Sequence, residues 1–200
     1  MYGRSRVGQE LPWTPPWYNV NAMIVGADDH VWLTHSVLGG MAEFNGTSWV
    51  LHDSPYQMDG MLADFQGNIW VTTGQYGLFK WNRTTWQNWP TVGGTITMTG
   101  LGTDRDGVVY ISTWYGGIYK MISNNPAFFV DADNIPRSVM DRPNGDIWIN
   151  NYGGNGTLGT VRHYTANGQL LSRMNSTSRR CSSYPGGSSS GRSTSHAVYA

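Results

Sequence analysis

The 200-residue sequence predicts an all-β protein that repeats one short antiparallel sheet four times. Three observations predict this fold: the composition, a strand motif that recurs at a nearly constant interval, and the turns on either side of that motif. The chain has 26 Gly, 10 Trp and 11 Tyr but only two Lys and two Glu. Because helix surfaces are normally rich in Glu and Lys, whereas aromatic residues and glycine turns suit strands, this composition excludes helical bundles and coiled coils.

Each copy contains a strand in which a variable residue is followed by β-branched, aromatic, aliphatic and small polar residues. The four strands are His30-Val31-Trp32-Leu33-Thr34, Asn68-Ile69-Trp70-Val71-Thr72, Val108-Val109-Tyr110-Ile111-Ser112 and Asp146-Ile147-Trp148-Ile149-Asn150. Their aromatic residues lie 38, 40 and 38 residues apart. A period of this length indicates a repeat architecture in which each copy forms the same unit.

Turn residues divide each copy into four short strands. An apolar run and a turn such as Asp64-Phe65-Gln66-Gly67 precede the aromatic strand, and a second glycine turn, a third strand and a less regular fourth strand follow it. Asp can bond its own turn and Gly accepts a positive φ, so these turns predict hairpins. Four antiparallel strands in about 40 residues describe one blade of a β-propeller.

We therefore predict a small β-propeller of four blades, each of about 38–40 residues, over residues 20–175. Each blade lies between neighbours, so both faces of its sheet are buried and the middle strands lose the alternation of polar and apolar residues. The repeated aromatic residues are expected in the core between the blades. They are Trp32, Trp70, Tyr110 and Trp148.

The repeats resemble a known family. The segments 64–82 and 104–120 are similar to two-component regulator propeller repeats, whose blade reads roughly D-x-x-G-N-I-W-V-G-T-x-x-G-G-L-x-R-x-N. The resemblance covers about residues 20–175 and implies a propeller fold. It implies little about function, because such blades resemble those of bacterial sensors, of lyases and of virus particles.

Two terminal segments lie outside the predicted propeller. Residues 1–19 form an arm rich in proline and aromatic residues, and residues 176–200 form a Ser/Gly-rich tail that has too little apolar surface to fold alone. We expect both segments to contact another surface, and the end of the tail to add a strand to a sheet edge. The expected assembly contacts are Trp13, Trp17, Tyr18, Val198 and Tyr199.

Four blades are few for a closed ring, and an open arc would leave two apolar blade faces in water. Three arrangements solve this problem. The chain closes as a four-blade ring helped by terminal strands, which we favour; or the arm and tail complete a fifth, partial blade; or several subunits share one ring.

The charge balance excludes several classes of partner. Thirteen Lys and Arg residues balance thirteen Asp and Glu residues, so we expect neither nucleic acid nor a membrane as partner. The single Cys181 cannot form an internal disulfide. No apolar run approaches the ~20 residues of a membrane helix, and the N-terminal residues lack the apolar core of a signal peptide. The sequence thus predicts a soluble protein that is not conventionally secreted.

No residue cluster in the sequence indicates an active site, so we predict no catalytic residue, no metal and no cofactor. The histidines lack metal-ligand spacing and are expected to be structural or solvent-facing. They are His30, His35, His52, His163 and His196. Propellers similar to virginiamycin B lyase use a histidine and acidic metal ligands on one face, and His35 with Glu43 is the nearest approximation. A metal-dependent lyase is therefore our third functional hypothesis.

Aromatic side chains precede the glycine of the second turn in three of the four blades. They are Tyr76, Tyr115 and Tyr152, with Trp114 beside the second of them. Because these turns repeat around one face of the ring, the four side chains could form an aromatic rim that binds a sugar or a protein. The alternative is that they only cover the ends of the blades.

Our preferred hypothesis is a non-enzymatic structural protein. It would be a propeller module that docks on other structural proteins or on copies of itself, with a bacteriophage virion as the preferred assembly and location. The second hypothesis is a carbohydrate-binding, lectin-like propeller that recognises glycans through the aromatic rim. Both hypotheses go beyond the fold, because one fold hosts many functions.

Overall fold

A computed structural model describes residues 20–35, 40–53, 56–115, 117–132, 135–141, 144–153 and 158–175. Within these ranges the chain forms sixteen strands in four antiparallel sheets, each of which follows the chain order of its strands. The described residues include no helix that could span a membrane. The prediction of an all-β, four-bladed propeller is thus confirmed.

Each blade consists of four consecutive strands. Blade 1 contains β1 (Val20–Val25), β2 (Val31–His35), β3 (Met41–Phe44) and β4 (Trp49–His52). Blade 2 contains β5 (Gly60–Ala63), β6 (Ile69–Thr73), β7 (Gly77–Trp81) and β8 (Trp86–Trp89). Blade 3 contains β9 (Met98–Thr103), β10 (Val109–Thr113), β11 (Gly117–Ile122) and β12 (Asn125–Asp131). Blade 4 contains β13 (Ile135–Asp141), β14 (Ile147–Tyr152), β15 (Thr160–Tyr164) and β16 (Leu170–Asn175).

The first strand of each blade is the innermost one. β1 contacts β5, β5 contacts β9, and β9 contacts β13, whereas the fourth strands lie at the outer edges of the sheets. The second strands β6 and β10 are buried along their whole length, as the loss of alternation in their sequences predicts.

An aspartate ties the first turn of blade 2 to the repeated aromatic residue. Asp64 is buried, and its carboxylate accepts hydrogen bonds from the backbone N–H of Gln66 and Asn68 and from the Nε1–H of Trp70 at 2.8 Å. Asp104 repeats the arrangement in blade 3, where the hydroxyl of Tyr110 donates to it at 3.2 Å. The turn residue therefore sets both the hairpin and the orientation of the core aromatic side chain.

Blade 1 lacks this aspartate. Gly26 occupies the position of Asp64, six residues before the aromatic residue, and the Nε1–H of Trp32 is buried without a hydrogen-bond partner among the described residues. A Cβ at Gly26 would lie 3.1 Å from that nitrogen. The indole of Trp32 thus lies close to the backbone of Gly26, whereas the equivalent indole in blade 2 bonds the carboxylate of Asp64.

The repeated aromatic residues join each blade to the next along the chain. Trp32 packs edge-on against Trp81 of blade 2 with ring centroids 5.6 Å apart. Trp70 shares a core cluster with Val109 and Ile111 of blade 3. Tyr110 does the same with residues of blade 4. The predicted core position is confirmed for these three residues, which are at most 3% exposed.

Trp148 differs from the other three because no blade follows blade 4 among the described residues. The described strands pack in the order blade 1, blade 2, blade 3, blade 4, and blade 4 makes no extensive contact with blade 1 among them. The four-blade ring that we favoured from the sequence depends on terminal strands to help its closure, so its closure stays a prediction. Residues 1–19 and 176–200, with the predicted contacts Trp13, Trp17, Tyr18, Val198 and Tyr199, lie outside the described residues.

We predict that Asp64→Ala destabilises the protein by about 2–4 kcal/mol, because it leaves a buried indole N–H and two turn N–H groups without their acceptor. Chemical denaturation measured by tryptophan fluorescence would give this free energy of unfolding. Asp106→Ala is the matched control, since Asp106 is an exposed aspartate in the equivalent region of blade 3. Equal effects of the two substitutions would contradict the role of Asp64.

Candidate functional site

Residues of the innermost strands and of the segments next to them line a cavity of about 400 Å³, which we call the axial pocket. All four blades contribute to its wall. The lining residues are Asn21, Asp59, Gly60, Thr72, Thr97, Met98, Thr99, Trp114 and Arg137. The pocket therefore combines a carboxylate, a guanidinium group, an amide, several hydroxyl groups and one large aromatic ring.

One position of the repeat supplies a pocket residue from every blade. The residue eleven positions before the repeated aromatic residue is Asn21, Asp59, Thr99 or Arg137. In blades 1, 3 and 4 this residue is skipped in the pairing of the first and second strands, which forms a β-bulge. In blade 2 it directly precedes the first strand. Bulges redirect side chains and are common beside active sites, and here they occur at three of the four inward-facing positions.

Asp59 is the acidic group of the axial pocket. Its backbone N–H donates to the carbonyl of Thr72 at 2.8 Å, and its carboxyl group has no hydrogen-bond or ion-pair partner among the described residues. Although the residue is open to solvent at the pocket mouth, the surrounding protein displaces part of its water, and this desolvation raises the pKa of Asp59 above its ordinary value of 3.8. Gly74 leaves room for the carboxyl, because a Cβ there would lie 3.0 Å from Oδ2.

Arg137 is the basic group of the axial pocket. It is exposed, and its guanidinium carbon lies 5.4 Å from the ring centroid of Tyr152, a distance typical of a cation–π contact. No carboxylate of the described residues pairs with it. The guanidinium group therefore keeps its donors available to an anion in the pocket.

The remaining polar groups of the wall are held by the backbone. Asn21 donates its Nδ2–H to the carbonyl of Met58 at 2.9 Å, and the hydroxyl of Thr97 donates to Gly74 at 3.3 Å. The hydroxyl of Thr99 donates to the carbonyl of Pro136, which ties blade 3 to blade 4. These bonds position the wall and leave the Asn21 carbonyl oxygen and the hydroxyl oxygens as acceptors.

The structure brings only part of the predicted aromatic rim to the axial pocket. Trp114 lines the pocket and is 45% exposed. Tyr152 does not line the pocket but contacts Arg137, which does. Tyr76 instead stacks on Tyr56 with ring centroids 4.0 Å apart, and Tyr115 projects outward with 82% of its surface exposed. Whether any of the four binds a ligand stays a prediction.

Sequence reasoning missed Asp59 and Arg137 because neither belongs to a recognisable motif. The signal was the repeat itself. Aligning the four copies on their aromatic residue would have shown Asn, Asp, Thr and Arg at one position, a chemical variety unlike that of the packing positions. The axial location of the position, however, depends on the bulges, and these are visible only in the structure.

A second polar cluster lies at the opposite end of blade 1, around Glu43. His30 Nδ1 and His52 Nε2 each lie 2.7 Å from a Glu43 carboxylate oxygen, and the guanidinium of Arg83 donates to Oε1 at 2.9 Å. The same guanidinium donates to Asp28 at 2.8 Å and covers the Trp32 ring. The predicted structural role of His30 and His52 agrees with these contacts. The side chain of His35, which we had considered as the partner of Glu43, lies outside the described residues.

The pKa of Glu43 reflects two opposing effects. Burial raises it, but the hydrogen bonds from His30 and His52 and the charge of Arg83 together outweigh burial, so the pKa lies below the ordinary value of 4.5. Ligand atoms of Asp28, His30 and Glu43 lie within 4.8 Å of one another, a spacing that could hold a metal ion. Arg83 already supplies a positive charge there, because it bonds both carboxylates. We therefore interpret this cluster as an ionic link between blades 1 and 2.

We predict that Glu43→Gln lowers the free energy of unfolding at pH 7 by about 1–3 kcal/mol, because it leaves the Arg83 charge without its buried partner. A carboxyl with a lowered pKa stabilises the fold above its ordinary pKa, and this contribution is lost as the pH falls through the lowered value. The difference between wild type and variant should therefore shrink below about pH 4.5. Denaturant titrations across this range measure it, with Asp106→Asn as control, and a difference independent of pH would contradict the ionic link.

Comparison with known proteins identifies the fold and no family. No family model matches the sequence, and no curated protein matches it. Among solved structures, a streptogramin B lyase superposes with a TM-score of 0.68 at 13% identity, covering 82% of this chain and 57% of the lyase. A gluconolactonase from Xanthomonas campestris superposes with a TM-score of 0.59 at 14% identity, covering 76% and 60% of the two chains. The extracellular domain of a hybrid two-component system from B. thetaiotaomicron gives 0.56 at 14% identity, covering 76% and 21%.

These similarities have two consequences. The chain spans a little over half the length of the lyase, and at such low identity the likeness establishes the propeller fold alone. The prediction that the protein is not an enzyme was nevertheless wrong in its reasoning, because solved propellers of this fold include a lyase and a gluconolactonase. That prediction rested on the lack of a catalytic motif in the sequence. A pocket that takes one residue from each blade leaves no such motif, because its residues are far apart in the chain.

Proposed function

We propose that this chain binds a hydroxyl-rich carboxylate, such as a sugar acid, in the axial pocket, and that Asp59 exchanges a proton with it. One observation carries the proposal: a single repeat position lines the pocket in all four blades and has a different chemistry in each. Positions that serve packing keep their character from blade to blade, as the aromatic position does. An asymmetric ligand needs different chemical groups around it. A repetitive scaffold can supply them only if one inward-facing position holds a different residue type in each blade.

The class of ligand follows from the charged and aromatic groups of the wall. Arg137 has no carboxylate partner among the described residues, and its planar guanidinium group suits bidentate binding of a carboxylate. Trp114 offers an exposed ring for stacking, while Asn21 and the threonine hydroxyls suit the hydroxyl groups of a sugar. The proposal thus keeps the carbohydrate-binding hypothesis and moves it from the rim to the pocket.

The catalytic part of the proposal rests on Asp59. A carboxyl with a raised pKa and without an internal partner is suited to general acid–base catalysis, because its proton is available nearer to neutral pH. The lyase and the gluconolactonase among the similar structures support an enzyme of this fold, as an analogy. The reaction class that we infer is proton transfer at a substrate whose carboxylate is held by Arg137.

The other functional hypotheses from the sequence have less support. Docking on a larger assembly depends on the terminal segments, which lie outside the described residues, and none of the comparisons points to a virion. A metal-dependent lyase centred on Glu43 has little support, because Arg83 bonds that carboxylate. Membership of the two-component regulator propeller repeats stays a prediction, supported by the similarity to the extracellular domain of a two-component system.

We predict that gluconate and galacturonate bind more tightly than glucose or benzoate, as measured by isothermal titration calorimetry. Arg137→Gln should weaken binding of the two sugar acids at least about tenfold, because a charge-assisted hydrogen bond is lost. Arg173→Gln, an exposed arginine on β16, is the matched control. Failure of both sugar acids to bind, or equal losses in the two variants, would reject the proposed ligand class.

We predict that Asp59→Asn removes the pH dependence of sugar-acid binding and does not lower the melting temperature at pH 7. A carboxyl with a raised pKa favours the folded state below its ordinary pKa of 3.8, and this contribution is lost as the pH rises through the raised value. The variant should therefore gain stability relative to wild type as the pH rises. A variant that melts earlier at pH 7 and binds normally would show that Asp59 has a structural role instead.

A further inference from the structure

A second cavity, of about 340 Å³, shares Arg137 with the axial pocket. The rest of its lining comes from blade 4, from residues 150–153 at the end of β14 and residues 159–161 at the start of β15, so we call it the blade-4 pocket. One guanidinium-bearing side chain therefore joins two cavities, of which the proposed function uses only the axial one.

Tyr152 supplies the aromatic surface of the blade-4 pocket. The residue is 54% exposed, and its ring centroid lies 5.4 Å from the guanidinium carbon of Arg137. The phenol hydroxyl makes no hydrogen bond with any described residue. An exposed ring in the wall of a cavity is suited to stacking on the C–H face of a sugar, and the hydroxyl adds a hydrogen-bonding group.

Asparagine side chains supply polar groups of the same wall. Asn150 is exposed and lies two residues before Tyr152 on β14, so the two side chains lie on the same face of the sheet. The amide of Asn150 has no hydrogen-bond partner in the described part of the chain. Asn151 is buried, and its Nδ2–H donates to the carbonyl of Ala132 at 2.7 Å and to the hydroxyl oxygen of Thr160 at 3.0 Å. The wall thus combines an available amide with neighbours that are held in place.

The equivalent tyrosines of blades 2 and 3 have different surroundings. Tyr76 stacks on Tyr56 with ring centroids 4.0 Å apart, and Tyr115 projects outward with 82% of its surface exposed. Neither of them lines the axial pocket or the blade-4 pocket. Of the three, Tyr152 is the one that contacts a residue of the axial pocket. A ligand that extends beyond the axial pocket is therefore expected to extend toward blade 4.

We propose that the blade-4 pocket binds a second, uncharged sugar ring that is joined to the sugar acid in the axial pocket. This inference rests on the proposed function, in which Arg137 holds the carboxylate of the acid. Because the same side chain lines both cavities, a ligand bound to it continues from one cavity into the other. The other residues that line the blade-4 pocket are neutral, so the second ring needs no charge of its own. The ligand is thus an acidic disaccharide or the acidic end of a longer saccharide.

Isothermal titration calorimetry with gluconate, lactobionate and melibionate tests the proposal. The last two compounds are gluconate that carries a galactose ring on different hydroxyl groups. We expect the tighter of the two to bind wild type about tenfold more tightly than gluconate, because the second ring adds stacking and hydrogen bonds. The quantity to compare among variants is the ratio of these two affinities. It cancels any effect that a substitution has on Arg137 itself.

Tyr152→Ala should reduce this ratio to about one, because the stacking surface is lost, whereas Tyr152→Phe should keep most of it, because the ring remains. Asn150→Ala should reduce the ratio about threefold, because one hydrogen-bonding group is lost. Tyr115→Ala is the matched control, since it removes the equivalent tyrosine of blade 3, and it should keep the wild-type ratio. Thermal melting of each variant establishes that it is folded during the titration.

The outcomes separate this inference from the proposed function. If gluconate binds and neither disaccharide acid binds more tightly, the inference is overturned while the proposed function stands. If none of the three compounds binds, both are overturned. If Tyr152→Ala keeps the wild-type ratio, or Tyr115→Ala reduces it equally, the second ring lies outside the blade-4 pocket, which also overturns the inference.

Discussion

The structure depends on the burial of both sheet faces in the two middle blades. A four-stranded sheet whose middle strand reads Ile-Trp-Val or Val-Tyr-Ile has no polar side to present to water, so it is stable only between two neighbours. The repeated aromatic ring meets this requirement, because it covers the next blade at a fixed position. Asp64 and Asp104 hold two of these rings through hydrogen bonds from the same turns that form the hairpins. In these two blades, the turn aspartate thus holds the aromatic ring in the orientation in which it packs against the next blade.

The same constraint explains where a functional site can form. Residues at the packing positions contact the neighbouring blade and must stay apolar. The residue type can therefore vary only at positions whose side chains do not pack between blades. The bulge at the start of the innermost strand is such a place, because its residue is skipped in the pairing and lines the axial pocket. Arg137 is the bulge residue of blade 4, and Asp59 holds the equivalent position of blade 2, directly before the first strand. A repetitive scaffold thereby acquires an asymmetric pocket without changing its core.

The likeness to a lyase, a gluconolactonase and a sensor domain shows that this scaffold carries several activities. Function in such a fold is decided by a few side chains at equivalent positions. The cluster around Glu43 illustrates the contrast, since its histidines and Arg83 are satisfied internally and join two blades, whereas the carboxyl of Asp59 has no partner among the described residues. An ionisable group without an internal partner, beside a cavity, is the stronger sign of function.

The sequence by itself determined the four-fold repeat, the bounds of the blades, the hairpin turns and three of the core aromatic residues, because these follow from local periodicity and turn chemistry. Only the tertiary structure decided that Trp148 remains half-buried, that Glu43 binds His30 and Arg83, and that Asp59 and Arg137 share a pocket. These features join residues that are far apart in the chain. They depend on the angle between blades and on bulges in the strand pairing, which leave no periodic signal in the sequence.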